Sequence, residues 1–314
     1  MATSQLARVA LNARVTSYAK GAGQSALERM TIANFLSPPV KVPGVKFEYW
    51  AYDDRAPYKI MKTARAIGGG ANVLDTGGTV VTSVLDPNAI DAPIDQAELL
   101  TEPTLIMTLQ ERADEAAAAA ALSYEYQVVS AALAAAGAGT DVNAAQPSTV
   151  DLKMILDQAI LDVMLAAKSG SNQSVRILFG ASAGLRFLNH QSIRGLFKGG
   201  RRDTATPPMG DVSDLLMNRP AVMQALTVVD SALEGLAASN GWLMDNAVLV
   251  FVANSAPTRR DPSFMKTFTL SDGVMKPGYY QSPDGRQEFA KLDWYTKPTV
   301  TNVTAVKRIN LNAS

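Results

Sequence analysis

The stretch TLQERADEAAAAAALSYEYQVVSAALAAAG, residues 108 to 137, limits the architecture more than any other part of the chain. Six consecutive alanines, Ala116 to Ala121, have the highest helix propensity of any residue and lose no side-chain freedom in a helix. Thr108 and Glu111 have the spacing of a capping box, and Gly137 is a natural C-terminal stop. The predicted helix therefore runs from 109 to 136 and is a rod of roughly 42 Å. Leu109, Leu122, Tyr126, Val129 and Leu133 fall near one face, while the alanine run leaves a slim surface that other backbone can approach closely. Large apolar residues do not recur over three heptads, so the rod is a lone helix laid across a sheet rather than a coiled coil.

Composition narrows the function classes. The chain has 314 residues, enough for one large domain or two smaller ones. Hydrophobic residues make up 47% and charged ones 18%, as in a globular protein, and no 18-residue apolar run is present to span a bilayer. Lys plus Arg and Asp plus Glu both number 29, so no global field draws in nucleic acid or a membrane. The absence of cysteine removes disulfides, thiolate metal sites and cysteine nucleophiles, and a single histidine, His190, makes a zinc site implausible. No metal or cofactor site is expected. The first 27 residues carry Arg8, Arg14 and Lys20 with no acid before Glu28. Two readings fit that bias, an organelle transit peptide and a mobile basic arm that docks on a neighbour. The remainder of the chain favours the arm.

Residues 36 to 60, LSPPVKVPGVKFEYWAYDDRAPYKI, begin with three prolines and then alternate, with Phe47, Tyr49 and Ala51 on one face. Glycines at 68, 69, 70, 77 and 78 precede a second strand-like run, TVVTSVL. The whole reads as a long hairpin with a mobile tip, and no lysine-serine or lysine-threonine pair follows the glycines to make a phosphate loop. Asp86, Asp91 and Asp95 match no calcium-loop spacing and read as solvated acids broken up by Pro87 and Pro93. From about 148 helix and strand alternate as in an α/β module. Ser148 is the expected N-cap of a helix whose buried stripe is Leu152, Ile155, Leu156 and Ala159. The strand SVRILFG, the helix SAGLRFLNH, a Gly- and Pro-rich loop from 195 to 211, the helix DVSDLLM and the strands LTVVDS and AVLVFVAN follow. After residue 260 the chain is β-rich to its end.

Within VRILFGASAGLRFLNH, Gly180, Ser182 and Gly184 stand in the spacing G-x-S-x-G of the α/β-hydrolase nucleophile elbow. A serine esterase would need a histidine base well downstream, oriented by an acid. His190 lies eight residues after Ser182, a rise of roughly 12 Å on a helix, and no histidine follows it. A tight strand-to-helix turn is the favoured reading, and no catalytic residue is assigned.

The order of basic arm, long hairpin, single long helix, α/β insert and terminal strands resembles the major capsid proteins of tailed bacteriophages, with the Hong Kong 97-type shell fold shared by encapsulin compartments. PPVKVPGVKFEYWAYD, RAIGGGAN, QERADEAA, NSAPTRRDPSF and DWYTKPTVTNVTAVKRINL carry the likeness over nearly the whole chain. The resemblance implies an α+β fold with an N-terminal arm (1–40), an extended hairpin loop (41–97), a peripheral domain built on the long spine helix (98–145 and 280–314) and an α/β axial domain (146–279).

It further implies a non-enzymatic shell protein that assembles with itself as hexamers and pentamers, encloses double-stranded DNA through weak non-specific contacts, and resides in the virion after assembly in the host cytoplasm. A separate scaffolding protein, a portal and, in some relatives, a decoration protein are the further partners, and no membrane is involved. Some relatives form lysine-to-asparagine links between subunits. Lys59 and Lys62 lie in the hairpin, but no partner site accompanies them and no crosslink is expected. The nearest alternative is an encapsulin-like compartment, and a serine esterase using Ser182 is more distant.

Overall fold

A computed structural model describes residues 30–51, 64–65, 69, 79–95, 105–145, 150–167, 175–197, 208–230, 239–270 and 276–312. The basic arm as far as residue 29, nearly all of the glycine-rich hairpin tip, and Ser148 lie outside the described residues. The chain divides into two compact units: one holds the residues up to Val45, Val84–Ala131 and Thr267–Pro298, and the other Lys46–Ser83, Ala132–Lys266 and the residues from Thr299 onward.

The long helix of the first unit, α2 (Leu105–Ala136), begins before the expected capping box, which places Thr108 inside the helix. Its end is as read, with Gly137 following at φ +70°, a conformation that costs a glycine nothing. The buried face consists of Ala113, Ala116, Ala117, Ala120, Ala121, Tyr124, Val128 and Val129, so the narrow surface is where other chain lies close. Leu122 and Tyr126, grouped with the apolar face in the sequence, are exposed. A short helix, α1 (Thr31–Leu36), has no side-chain cap of its own, and the buried Glu125 of α2 accepts a hydrogen bond from Ile32 N at 3.1 Å. Residues 30 to 36 of the expected arm are thus part of the core, with Met30, Ile32, Ala33 and Leu36 buried. Burial raises the pKa of the Tyr124 phenol, against the opposing effect of its hydrogen bond with Thr267.

The sheet of this unit runs β1 (Pro39–Val42), β11 (Met265–Leu270), β13 (Gln287–Val300), β12 (Lys276–Gln281), with β4 (Asp86–Asp95) also paired to β13. Ala290, Leu292, Trp294 and Thr296 alternate inward along β13, the period of two that a half-buried strand requires. The acids of the segment DPNAIDAPID, read as solvated, are exposed, and they stand along a ten-residue strand that pairs antiparallel from Asp86 opposite Thr296 to Asp95 opposite Gln287. Prolines are tolerated there because, among the described residues, β4 has a single partner strand and its outer edge needs no donors. Asp86 is not left to solvent alone but meets Lys297 Nζ at 3.2 Å, and Asp91 accepts from the Tyr280 hydroxyl at 2.8 Å.

The second unit is built on a five-stranded sheet ordered β5 (Thr140–Asn143), β14 (Val306–Asn312), β10 (Ala247–Val252), β6 (Val175–Phe179), β7 (Ala221–Gln224). All six residues of β10 are buried, as its unbroken apolar run AVLVFV demands of a central strand. Helix α3 (Leu152–Ala166) covers this sheet with Leu152, Leu156, Ala159, Ile160 and Val163, close to the expected stripe except that Ile155 is half-exposed. The described N-cap is Asp151, whose carboxylate accepts from Lys153 N and Met154 N. Two departures from the sequence reading follow from pairing. Residues 299–314 were assigned with the spine helix, yet β14 lies between β5 and β10 in the second unit. Among the described residues of 41–97, β2 (Lys46–Ala51) and β3 (Thr79–Val84) pair as a hairpin, while β1 and β4 join the first sheet. A strand's inward alternation shows that it has a core face, not which sheet receives it.

The alanine face gives a direct test. Ala120→Leu is expected to lower stability by about 1–3 kcal/mol through overpacking, and Ala119→Leu, on the exposed side of the same helix, to change it by less than about 0.5 kcal/mol. Urea unfolding followed by circular dichroism distinguishes the two, and equal effects would contradict the assigned face.

Candidate functional site

Ser182 sits in the first turn of α4 (Ala181–Asn189), directly after β6. A nucleophile elbow needs a strained serine beside open backbone donors. Neither is present. Asn218 and Arg219 are the non-glycine residues with positive φ among those described, and Gly180 itself is ordinarily extended at φ −70°, ψ 167°. The donors of the turn are taken: Ala181 N bonds Met244 O at 2.8 Å, Ala183 N bonds Asp245 O at 3.0 Å, and Ser182 N bonds Asp245 Oδ1 at 3.3 Å. An oxyanion would find no free N–H here. The two glycines are required by close approach, because a Cβ on Gly180 would stand 2.2 Å from Asp245 O and one on Gly184 2.6 Å from Gln224 Nε2. The motif therefore docks α4 against the 244–245 backbone.

His190 ends α4 and is fully buried. Its Nδ1 accepts from Ser192 N at 3.3 Å, so His190 caps the next helix, α5 (Gln191–Phe197), and the same nitrogen lies 2.8 Å from Ser192 Oγ. A ring nitrogen that accepts a backbone N–H carries no proton, so the neutral tautomer is held. Burial lowers the imidazole pKa below its ordinary value, with Asp151 pulling the other way. Ser182 and His190 are thus placed for packing and capping, not brought together as a pair.

The base of the hairpin is the other element singled out by the sequence. Phe47 and Tyr49 are buried on one face with ring centroids 6.2 Å apart, and burial raises the Tyr49 phenol pKa. Trp50, on the opposite face, donates its backbone N–H to Arg259 O at 3.3 Å, and the Arg260 guanidinium lies 4.9 Å over its indole ring. The loop that presents Arg260 is stiff. Asp261 accepts from Thr258 N at 2.7 Å and Ser263 N at 3.0 Å, and pairs at 2.8 Å with the wholly buried Lys266 ammonium, which also bonds Asp261 O. Desolvation lowers the Lys266 pKa, and the Asp261 charge opposes that shift. Thr301 and Asn302 close the loop from behind through Ser263 O and Pro262 O. The string NSAPTRRDPSF was notable in the sequence, but the pairing of Asp261 with Lys266 left no periodic signal and became visible only in three dimensions. Among the described residues no group of three or more metal-ligating side chains converges, and no helix is long and apolar enough to cross a membrane.

No protein-family model and no curated protein sequence matches the chain. Solved structures do. A phage-related protein from Bordetella bronchiseptica RB50 superposes with a TM-score of 0.67 at 16% identity, over 94% of this chain and 95% of that one. A structure from Mycobacterium phage Bobi superposes with a TM-score of 0.52 at 12% identity, over 90% and 91%. The fold is the Hong Kong 97-type capsid fold. Coverage of this extent means that the likeness includes both compact units of the Hong Kong 97-type chain rather than one shared motif. At identities this low it rests on topology, which explains why the sequence comparisons return nothing.

Two outcomes separate packing from catalysis at the turn. Gly180→Ala is expected to cost about 3 kcal/mol or more by clash, and Ser182→Ala to change stability by less than about 0.5 kcal/mol and leave activated-ester turnover at the background rate; loss of a real hydrolase activity on Ser182→Ala would contradict this. For His190 the folded pKa lies below the unfolded value of 6.5, so the unfolded state binds the proton more readily. Its contribution to stability is present above pH 6.5 and is lost as pH falls through the window beneath. Unfolding free energy is expected to drop between about pH 7.5 and about pH 5.5 more steeply in the wild type than in His190→Gln, and parallel slopes would refute it.

Proposed function

We propose that this chain is the major capsid protein of a tailed bacteriophage, assembling as hexamers and pentamers into an icosahedral shell around double-stranded DNA. The observation that carries the reading is the end-to-end likeness to a phage-related protein, 94% of one chain on 95% of the other. In this reading the first compact unit is the peripheral domain with α2 as its spine, the second is the axial domain, the residues before α1 are the N-terminal arm, and β2–β3 with its glycine-rich tip is the extended loop that reaches a neighbour.

Physical features support a shell subunit. Extended segments supply contact area that a compact domain cannot, and a subunit with several neighbours needs that area. Equal numbers of basic and acidic residues limit repulsion in a dense lattice and keep the wall from gripping packaged DNA strongly. The stiff loop 254–264 fixes the direction in which the hairpin leaves Trp50. The reading also brings in a scaffolding protein, a portal and a decoration protein as partners, assembly in the host cytoplasm and residence in the virion. No catalytic step is assigned. Nucleic acid inside native particles fits the virus, whereas an enzyme cargo would identify an encapsulin-like compartment.

Deleting residues 66 to 78 tests the assembly role of the hairpin. The strands and helices of the described structure lie outside that segment, so circular dichroism is expected to show a folded subunit. Sedimentation velocity is expected to show loss or marked weakening of closed particles. Wild-type yield and stability of particles from the deletion variant would contradict the proposal.

A further inference from the structure

His190 closes one helix and opens the next. Its backbone is extended at φ −68°, ψ 141°, the conformation that an N-cap residue adopts. Its carbonyl accepts from Ile193 N at 3.1 Å and Arg194 N at 3.0 Å, and its Nδ1 accepts from Ser192 N, in the second position of α5, at 3.3 Å. Helix N-termini usually find such a side-chain acceptor on Ser, Thr, Asp or Asn, none of which takes up a proton near neutral pH. An imidazole nitrogen accepts only while it is unprotonated. The cap of α5 is therefore conditional on pH.

The two helices that meet at His190 are held very unequally. α4 buries Ala181, Ala183, Gly184 and Phe187. Its first turn is also pinned to the backbone that follows the ribbon of β8 (Val228–Asp230) and β9 (Asn240–Trp242), where Ala181 N and Ala183 N find Met244 O and Asp245 O. α5 has seven residues, too few to stand as a helix unaided. Among its described side chains Ile193 is the one that is buried. Gly195 weakens its middle, and nothing lies within 4 Å of where a Cβ would stand there, so no close approach demands the glycine. With one buried anchor and an interior glycine, α5 depends on its cap.

Protonation removes that cap. The ring is wholly buried, and among the described residues its Nε2 has no hydrogen-bond partner. An imidazolium carries two donors. Ser192 Oγ, 2.8 Å from Nδ1, can turn to accept one of them, but Ser192 N–H then loses its partner and Nε2 gains none. The charges on the helices packed here do not compensate. α3 and α4 both contact α5. On them Lys153 pairs with Asp157, Asp162 pairs with Lys307, and Arg186 bonds Asn246 Oδ1 and Leu311 O, while Arg194 of α5 is exposed. Asp151, the N-cap of α3, is the carboxylate that acts on the ring, and it attracts the proton less than burial repels it.

We propose that His190 is an acid-sensitive cap, and that its protonation frees α5 from its seat in the second unit while α4 and the five-stranded sheet stay folded. The imidazolium reaches water by the route that disturbs least, which is release of the weaker helix. The device belongs to the single subunit and does not depend on assembly into a shell.

Hydrogen exchange of the full chain, read by mass spectrometry and corrected for the pH dependence of the intrinsic rate, separates local release from global unfolding. Protection of residues 193–197 is expected to be at least about fivefold lower at about pH 5 than at about pH 7.5, while residues 175–187 of β6 and α4 keep theirs. His190→Asn supplies a side-chain acceptor that does not titrate, so its α5 is expected to hold the same protection at both pH values. Unchanged α5 protection in the wild type, a loss shared equally by β6 and α4, or the same loss in His190→Asn would overturn the proposal. Should that variant fail to fold, the wild type still decides. Its one histidine gives a single set of ring proton resonances, and their titration is expected to follow the fall in α5 protection. Midpoints more than about one pH unit apart would overturn the assigned cap.

Discussion

Everything in the first unit depends on one helix being narrow on one side. From Ala113 to Ala121 the buried positions of α2 are alanine, and where the helix thickens it does so with Tyr124, Val128 and Val129. Small side chains let neighbouring backbone approach, and close-packed interiors hold no space in reserve. The same face carries a carboxylate into the core. Buried Glu125 is tolerable because it accepts from the N-terminus of α1, a site that lacks a side-chain cap of its own and favours negative charge. The narrow face and the buried acid together fix where the chain enters the fold, and β1 then follows directly into the sheet beside β11.

The second unit follows a different logic, that of a strand hidden on both sides. β10 is buried at every position, and its neighbours β14 and β6 both run antiparallel to it. From the β6 end the chain turns through Gly180 into α4 with less room than a methyl group needs. This crowding, rather than chemistry, accounts for the spacing of Gly180, Ser182 and Gly184.

Much of this was legible in the sequence. The alanine run and Gly137 located α2 and its end, although the helix starts at Leu105, before the capping signal at Thr108. The inner stripe of α3, apart from Ile155, and the apolar runs of β6 and β10 were legible, since periodicity reports burial directly. β4 was missed because its prolines argue against a strand, and only its position at an edge makes them harmless. The destination of β14 was missed because alternation does not name a partner. At the candidate sites, the lone histidine, eight residues after Ser182, argued in the sequence against a hydrolase triad. The occupied N–H groups around Ser182 are the product of a chain crossing that no local pattern encodes, and the burial of the Lys266–Asp261 pair is a property of the folded unit.

The central claim is that this chain closes into shells. Electron micrographs of the purified protein, paired with its sedimentation profile, test it most directly. Closed particles of uniform diameter built from rings of six and five copies are the result the account predicts. A protein that remains monomeric across the concentrations at which shell proteins assemble would contradict it.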